Sequence, residues 1–230
     1  MGEILLLAVT KMHSGLCIGG VAPGDRRWVR PVKAFGNILP GDLRLPDGAL
    51  MRPFDVVELA LGAPRPDPPH VEDVLCDFVR PRPRRVRQVT GEEREAMLAA
   101  AVDPHPEEAW QHHDRSLTLF RPSDVTASFL YDAYSGKLEA RLAWPGCGAE
   151  RGHAVTDLRW RALAREILPR GGECRLTWEE LQAGVPPLSP CRDLYLAVGL
   201  SRAYQGQFWP IVAGVHLVPD YEVTVDARRL

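Results

Sequence analysis

The chain has 230 residues, 45% of them hydrophobic, and a formal net charge of −2. That is enough for one large β-rich domain or two small ones with a real core. The near-neutral balance (sequence pI near 6.4) excludes a nonspecific nucleic-acid coat, so any nucleic-acid site has to be a local patch.

Residues 4–9 form a continuous apolar run, which predicts a buried first strand rather than a signal peptide, since neither a basic leader nor a small-residue cleavage site accompanies it. A hairpin follows. Leu16–Val21 and Trp28–Val32 are two apolar runs joined by APGDRR, where Pro23, Gly24 and Asp25 supply turn chemistry. Residues 33–54 read as a long packed connection and Asp55–Leu61 as a strand. APRPDPPH has too many prolines for regular structure, and Val71–Phe78 reads as a strand again. Residues 80–89, RPRPRRVRQV, are the most basic stretch. They suit either a solvated edge strand or a contact to phosphates. The basic residues are nearly all Arg, with Lys only at 11, 33 and 137, a skew that a GC-rich genome explains as well as phosphate recognition does.

GEEREAMLAAAVD, residues 91–103, has an acidic first turn and an Ala-rich centre and predicts a helix ended by His105-Pro106, with a short helical turn over Glu107–Trp110. Ser116–Phe120 is a strand. Val125, Ala127, Phe129 and Tyr131 alternate, and across the AYSGK turn so do Leu138, Ala140, Leu142 and Trp144. Asp157 caps a helix to about Leu168, and TWEE at 177–180 matches a capping box for a helix over 178–183. Asp193–Leu200 and Phe208–Val218 close the chain as a second hairpin around AYQGQ, which reads as a mirror of the first and suggests duplication of a small β unit.

No phosphate loop, HExxH, GxSxG or GxGxxG motif is present. The five cysteines are scattered with no CxxC pair, which argues against a zinc ribbon and a secreted disulfide framework. Adjacent His112-His113 would point to opposite sides of an extended strand, which argues against a metal site there. No cofactor is expected and no catalytic residue is assigned. The first candidate binding group is Lys11, His13, Ser14, Trp28 and Arg30, a cation, hydroxyl and ring set on a β element suited to phosphate and base. Its structural alternative puts Trp28 in the core. Arg202 and Trp209 flank the second turn as another cation–ring pair, and His216 in HLVPDY completes the set. An enzymatic alternative, a phosphodiesterase or nucleotide hydrolase, would use His13, His216, Asp157 or Asp220, and a protein–protein scaffold is a third reading.

VTKMHSGLCIGGV with WVRPV, LAVGLSRAYQGQFWPIVAGVHLVPDY and, more weakly, VTDLRW resemble the dual-OB-domain family of prokaryotic proteins. The resemblance implies a mainly β fold with a few short helices, built as two small OB-like β-barrels. It divides the chain into a first barrel at 1–90, a helical connector at 91–115 and a second barrel with a helical insertion at 116–230. It also implies binding of single-stranded nucleic acid or a nucleotide, in some members in defence settings, with protein partners as a further expectation. No membrane span and a cytoplasmic location are expected.

Overall fold

The structure, a computed structural model, describes residues 1–12, 14–112 and 114–226. Strands β1 (Gly2–Met12), β2 (Gly15–Val21), β3 (Trp28–Val32), β4 (Asp55–Pro64) and β5 (Asp73–Asp77) form a closed barrel. Hydrogen-bonded neighbours run β1-β2-β3-β5-β4, and β4 returns to β1 through pairs such as Leu5↔Val56. Every pairing is antiparallel except β3–β5. That is the five-stranded Greek-key barrel of an OB fold. Residues 33–54 are packed as expected: Ile38, Leu43, Leu45 and Met51 enter the barrel core beside Ile4 and Leu6. β6 (Arg84–Gln88) pairs with the first residues of β4.

Two short helices follow, α1 (Gly91–Ala101) and α2 (Glu108–Gln111). α1 ends two residues before the predicted helix does. It buries Arg94 and Leu98, and Arg94 donates to Leu217 O at 2.5 Å and pairs with Asp220 at 3.1 Å. The helix is thereby tied to the far end of the sequence.

The C-terminal half contains β7 (Leu117–Phe120), β8 (Thr126–Tyr131), β9 (Leu138–Ala143), β10 (His153–Ala154), α3 (Leu158–Ile167), β11 (Glu173–Thr177), α4 (Trp178–Gly184), β12 (Asp193–Leu200) and β13 (Pro210–Val218). Both predicted caps are present. Asp157 accepts from Trp160 N at 2.7 Å, and Thr177 and Glu180 form the reciprocal capping box. The sheets run β10-β9-β8-β11 and β13-β12-β7, and a parallel bridge, Val155↔Val212, joins them. The path β8-β9-β10-β13-β12 therefore repeats β1-β2-β3-β5-β4, including the parallel contact between third and fifth strands. This corrects the mirror reading of the hairpins. β12–β13 corresponds to β4–β5, not to the first hairpin, β2–β3; hairpins share a local pattern whatever their place in a barrel. No ladder joins β12 to β8 among the described residues. This second barrel is left open, with Trp160 of α3 fully buried in its core beside Phe129, Leu181 and Leu196.

The continuous apolar run of β1 is explained by burial on both faces. Ile4, Leu6 and Val9 face the first barrel's core, whereas Leu5 and Leu7 meet Tyr195, Ala197 and Val218 of the other half. A bulge between Leu6 and Ala8 switches the alternation midway. At the crossing of β1 and β13, Gly214 is required because a Cβ there would run into Leu7 O. Among the described residues no helix is long and apolar enough to cross a membrane.

Candidate ligand-binding cleft

A cleft of about 840 Å³ lies between the two halves. Its N-terminal wall is formed by the end of β1, by β2 and β3, and by the loops after β1, β3 and β4; its other wall comes from the start of β7, from Thr156, and from the end of β12 and the start of β13 with the loop between them. The floor is apolar and made of small groups: Ala8, Gly19, Gly199 and Ala213 with Leu117. Small residues on both strand pairs leave the space open.

The rim is cationic. Lys11, Arg30, Lys33, Arg65 and Arg202 line the cleft against two carboxylates, Asp67 and Asp73. β3–β5 pairing puts Arg30 opposite Asp73 in register, and Arg30 Nε donates to Asp73 Oδ1 at 2.5 Å. Both are buried, Arg30 at 8% and Asp73 at 2% exposure, so the pair screens poorly and holds firmly. Arg30 Nη2 has no hydrogen-bond partner among the described residues. A buried guanidinium N–H left unmatched carries a desolvation cost that an incoming anion would remove. Arg202 reaches across from the β12–β13 loop to Asp67 at 3.1 Å and to Asp73 at 3.6 Å. Asp73 is thus shared by an arginine from each half. Its neighbour Glu72 accepts from Ser116 N at 2.7 Å, Ser116 Oγ at 2.8 Å and Leu117 N at 3.0 Å, stitching the walls together below the cleft.

Two loops with the same place in their barrels meet here: the β4–β5 loop and its counterpart between β12 and β13. Besides the Arg202–Asp67 pair, the His70 ring packs edge-on to Phe208 at 6.0 Å. Burial, reinforced by Arg30 and Arg202, pushes His70 down to about 4, so it is neutral near pH 7. At the tip of the second loop, Gln205 (φ 52°) and Gly206 (φ 76°) make a tight turn that presents Tyr204, 67% exposed, at the cleft mouth. On the facing loop Phe35, 90% exposed, stands between the lining residues Ala34 and Gly36.

Of the residues singled out in the sequence, Lys11, Ser14, Arg30 and Arg202 line this cleft. Ser14 is held by Asn37, whose amide donates to its hydroxyl at 2.8 Å. His13 lies outside the described residues, as does His113. The other three do not line the cleft. Trp28 is half-buried against the apolar seam between the halves, since a ring on a strand buries more area inward. Trp209 is exposed at the base of its loop, where its backbone closes onto Ser201. His216 is fully buried with its ring 5.1 Å from Phe54, and burial beside Arg94 and Arg159 lowers its pKa well below the usual value. Asp157 and Asp220 are likewise engaged, the first as a helix cap and the second by Arg94 and Arg159.

Sequence reasoning missed Lys33, Arg65, Asp67, Asp73, Phe35 and Tyr204. The last two carried a local signal, a large ring beside glycine-containing turns in AFGN and AYQGQ. Within the basic stretch at 80–89, β6 is an edge strand whose three arginines are ion-paired. Arg84 pairs with Glu58 at 2.9 Å, Arg85 with Asp47 at 2.6 Å and Arg87 with Glu93 at 2.8 Å.

A closed five-stranded Greek-key barrel defines an OB-type fold, and the cleft beside its second and third strands is consistent with a binding module. The chain belongs to the dual OB-containing domain family, DuOB, whose model matches residues 2–215. No curated protein and no solved structure matches it.

Proposed function

We propose that this chain binds single-stranded nucleic acid or a nucleotide in the cleft between its two barrels. OB folds take such ligands on the face of strands two and three and on the loops after strands one and four. The cleft occupies that position in the N-terminal barrel. The observation that carries the reading is the unmatched Nη2 of buried Arg30 on this face. A phosphate oxygen supplies the missing acceptor, and hydrogen bonds to charged groups are the stronger kind. Lys11, Lys33 and Arg202 add positive potential around it.

The test is fluorescence anisotropy and calorimetry at low salt with short oligonucleotides and nucleotides. Arg30→Met weakens binding at least tenfold, the size expected for one charged hydrogen bond. Arg202→Gln, at a half-exposed position, gives a smaller loss without disturbing the interior. Absence of binding to every phosphate-bearing ligand at low salt overturns the reading.

A further inference from the structure

We infer that the ligand is compact, one or two nucleotides long, with its phosphate on Arg30 and a base on Tyr204. This inference rests on the cleft being the nucleic-acid or nucleotide site. An OB face left uncovered is a groove across which a strand can run, occupying about 4–16 nucleotides. Here the second barrel roofs it. The roof is fastened by the Arg202 bridges to Asp67 and Asp73, by the Glu72 bonds to Ser116 and Leu117, and by Lys11 N donating to Thr156 O at 2.8 Å. The walls cannot part without losing these contacts, of which the Glu72 bonds are buried and the Arg202–Asp67 bridge is exposed.

The volume of the cleft points the same way. About 840 Å³ lies within the roughly 300–1,000 Å³ typical of small-molecule and cofactor sites. A strand also needs a track of free cations beyond the pocket. The arginines of β6 are matched by Glu58, Asp47 and Glu93, and Arg192 by Glu95 at 3.0 Å. With a net charge of −2 the chain has little positive field to hold a long polyanion. Positive charge is instead gathered in the cleft, where five cations face Asp67 and Asp73 and a third carboxylate, Asp42, holds Lys33 at 3.0 Å. The ring that completes the site is Tyr204, which lines the mouth and is mostly exposed, ready to stack on a base.

A length series tests this. The ligands are a nucleoside, its 5′-monophosphate, the dinucleotide and a 10-nucleotide strand, titrated calorimetrically into the full chain. The monophosphate binds at least tenfold tighter than the nucleoside, and affinity then levels off, the 10-nucleotide strand staying within about threefold of the dinucleotide. Tyr204→Ala, at an exposed turn, weakens the monophosphate roughly tenfold more than it weakens inorganic phosphate. If affinity climbs tenfold or more from the dinucleotide to the 10-nucleotide strand, the compact-ligand inference falls while the cleft stands as a nucleic-acid site. If Tyr204→Ala costs the monophosphate no more than it costs phosphate, the base contact is wrong. If no phosphate-bearing ligand binds, this inference and the proposed function fall together.

Discussion

The two barrels share a strand order and differ on the face that OB folds use. In the N-terminal barrel Arg30 on β3 keeps one buried donor unmatched in a cleft. In the C-terminal barrel the matching region carries Arg141 on β9, whose guanidinium donates to Gly152 O at 2.7 and 3.1 Å and to Arg151 O at 3.1 Å. Arg161 from α3 is likewise turned onto Leu138 O at 2.8 Å. On this face the first barrel ties its arginine to a carboxylate, Asp73, and leaves one donor unmatched; the second turns its arginines onto its own backbone. The closed barrel is the receiving side, and the open one supplies the roof. The difference teaches that strand order sets where a face lies, and the bonding of its guanidinium groups sets what that face can do.

That division of labour can be broken from the roof inward. Asp157 ties the second barrel together: it caps α3, accepts from Val215 N at 3.2 Å and bridges to Thr10 of β1. Asp157→Ala removes the cap and leaves buried N–H groups unmatched, an expected loss of about 3 kcal/mol by urea denaturation. Its pH behaviour is distinctive. Burial raises the carboxyl to about 6, against the opposing hydrogen bonds and the charge of Arg159. The folded chain therefore holds this proton more tightly than the unfolded chain does. Its stabilising contribution is complete below about pH 4 and is lost as pH rises to about 6, by on the order of 2–3 kcal/mol. Urea midpoints measured across that window show the decline, and Asp157→Asn flattens it.

The next effect concerns the seam. Gly214→Ala drives a methyl into Leu7 O, at an expected cost of about 2 kcal/mol. Because Leu5, Leu7, Tyr195 and Val218 form one apolar cluster, the midpoint should shift as a single transition in thermal unfolding. Two separate transitions would show that the barrels do not need each other. A sharper contrast comes from binding: Arg30→Met loses at least tenfold in nucleotide affinity, about 1.4 kcal/mol, whereas Arg141→Met stays within about twofold. Equal losses would erase the asymmetry between the faces. The smallest effect is at β6, where Arg84→Gln breaks an exposed pair with Glu58 and costs less than about 0.5 kcal/mol, with ligand affinity unchanged.

Much of this was legible along the chain. Strands written as apolar runs or clean alternation, such as β1, β8 and β9, and helices announced by Asp157 and by Thr177 with Glu180, depend on neighbours in sequence. β11 escaped notice because Glu173–Thr177 is a short edge strand after a Gly-Gly pair, and β10 is only two residues long. The cleft was half visible. Lys11, Ser14 and Arg30 belong to the first hairpin region and were read together, but Asp73 joins them only through the parallel β3–β5 pairing, which no local pattern encodes. Trp28 shows the opposite failure. Its place beside Arg30 suggested a stacking ring, and long-range packing drew it to the seam. Arg202 was recognised for its charge, while the partners that give it a role stand more than a hundred residues upstream.

β1 has a further consequence, for synthesis. β1 leaves the ribosome with one face destined for the barrel of its own half and the other for residues 195–218. At the usual 5–20 residues per second, the cover for Leu5 and Leu7 arrives roughly 10–40 s later. Throughout that interval Leu5 and Leu7 form a sticky stripe, so the arrival of β12 and β13 lowers the risk of aggregation at β1.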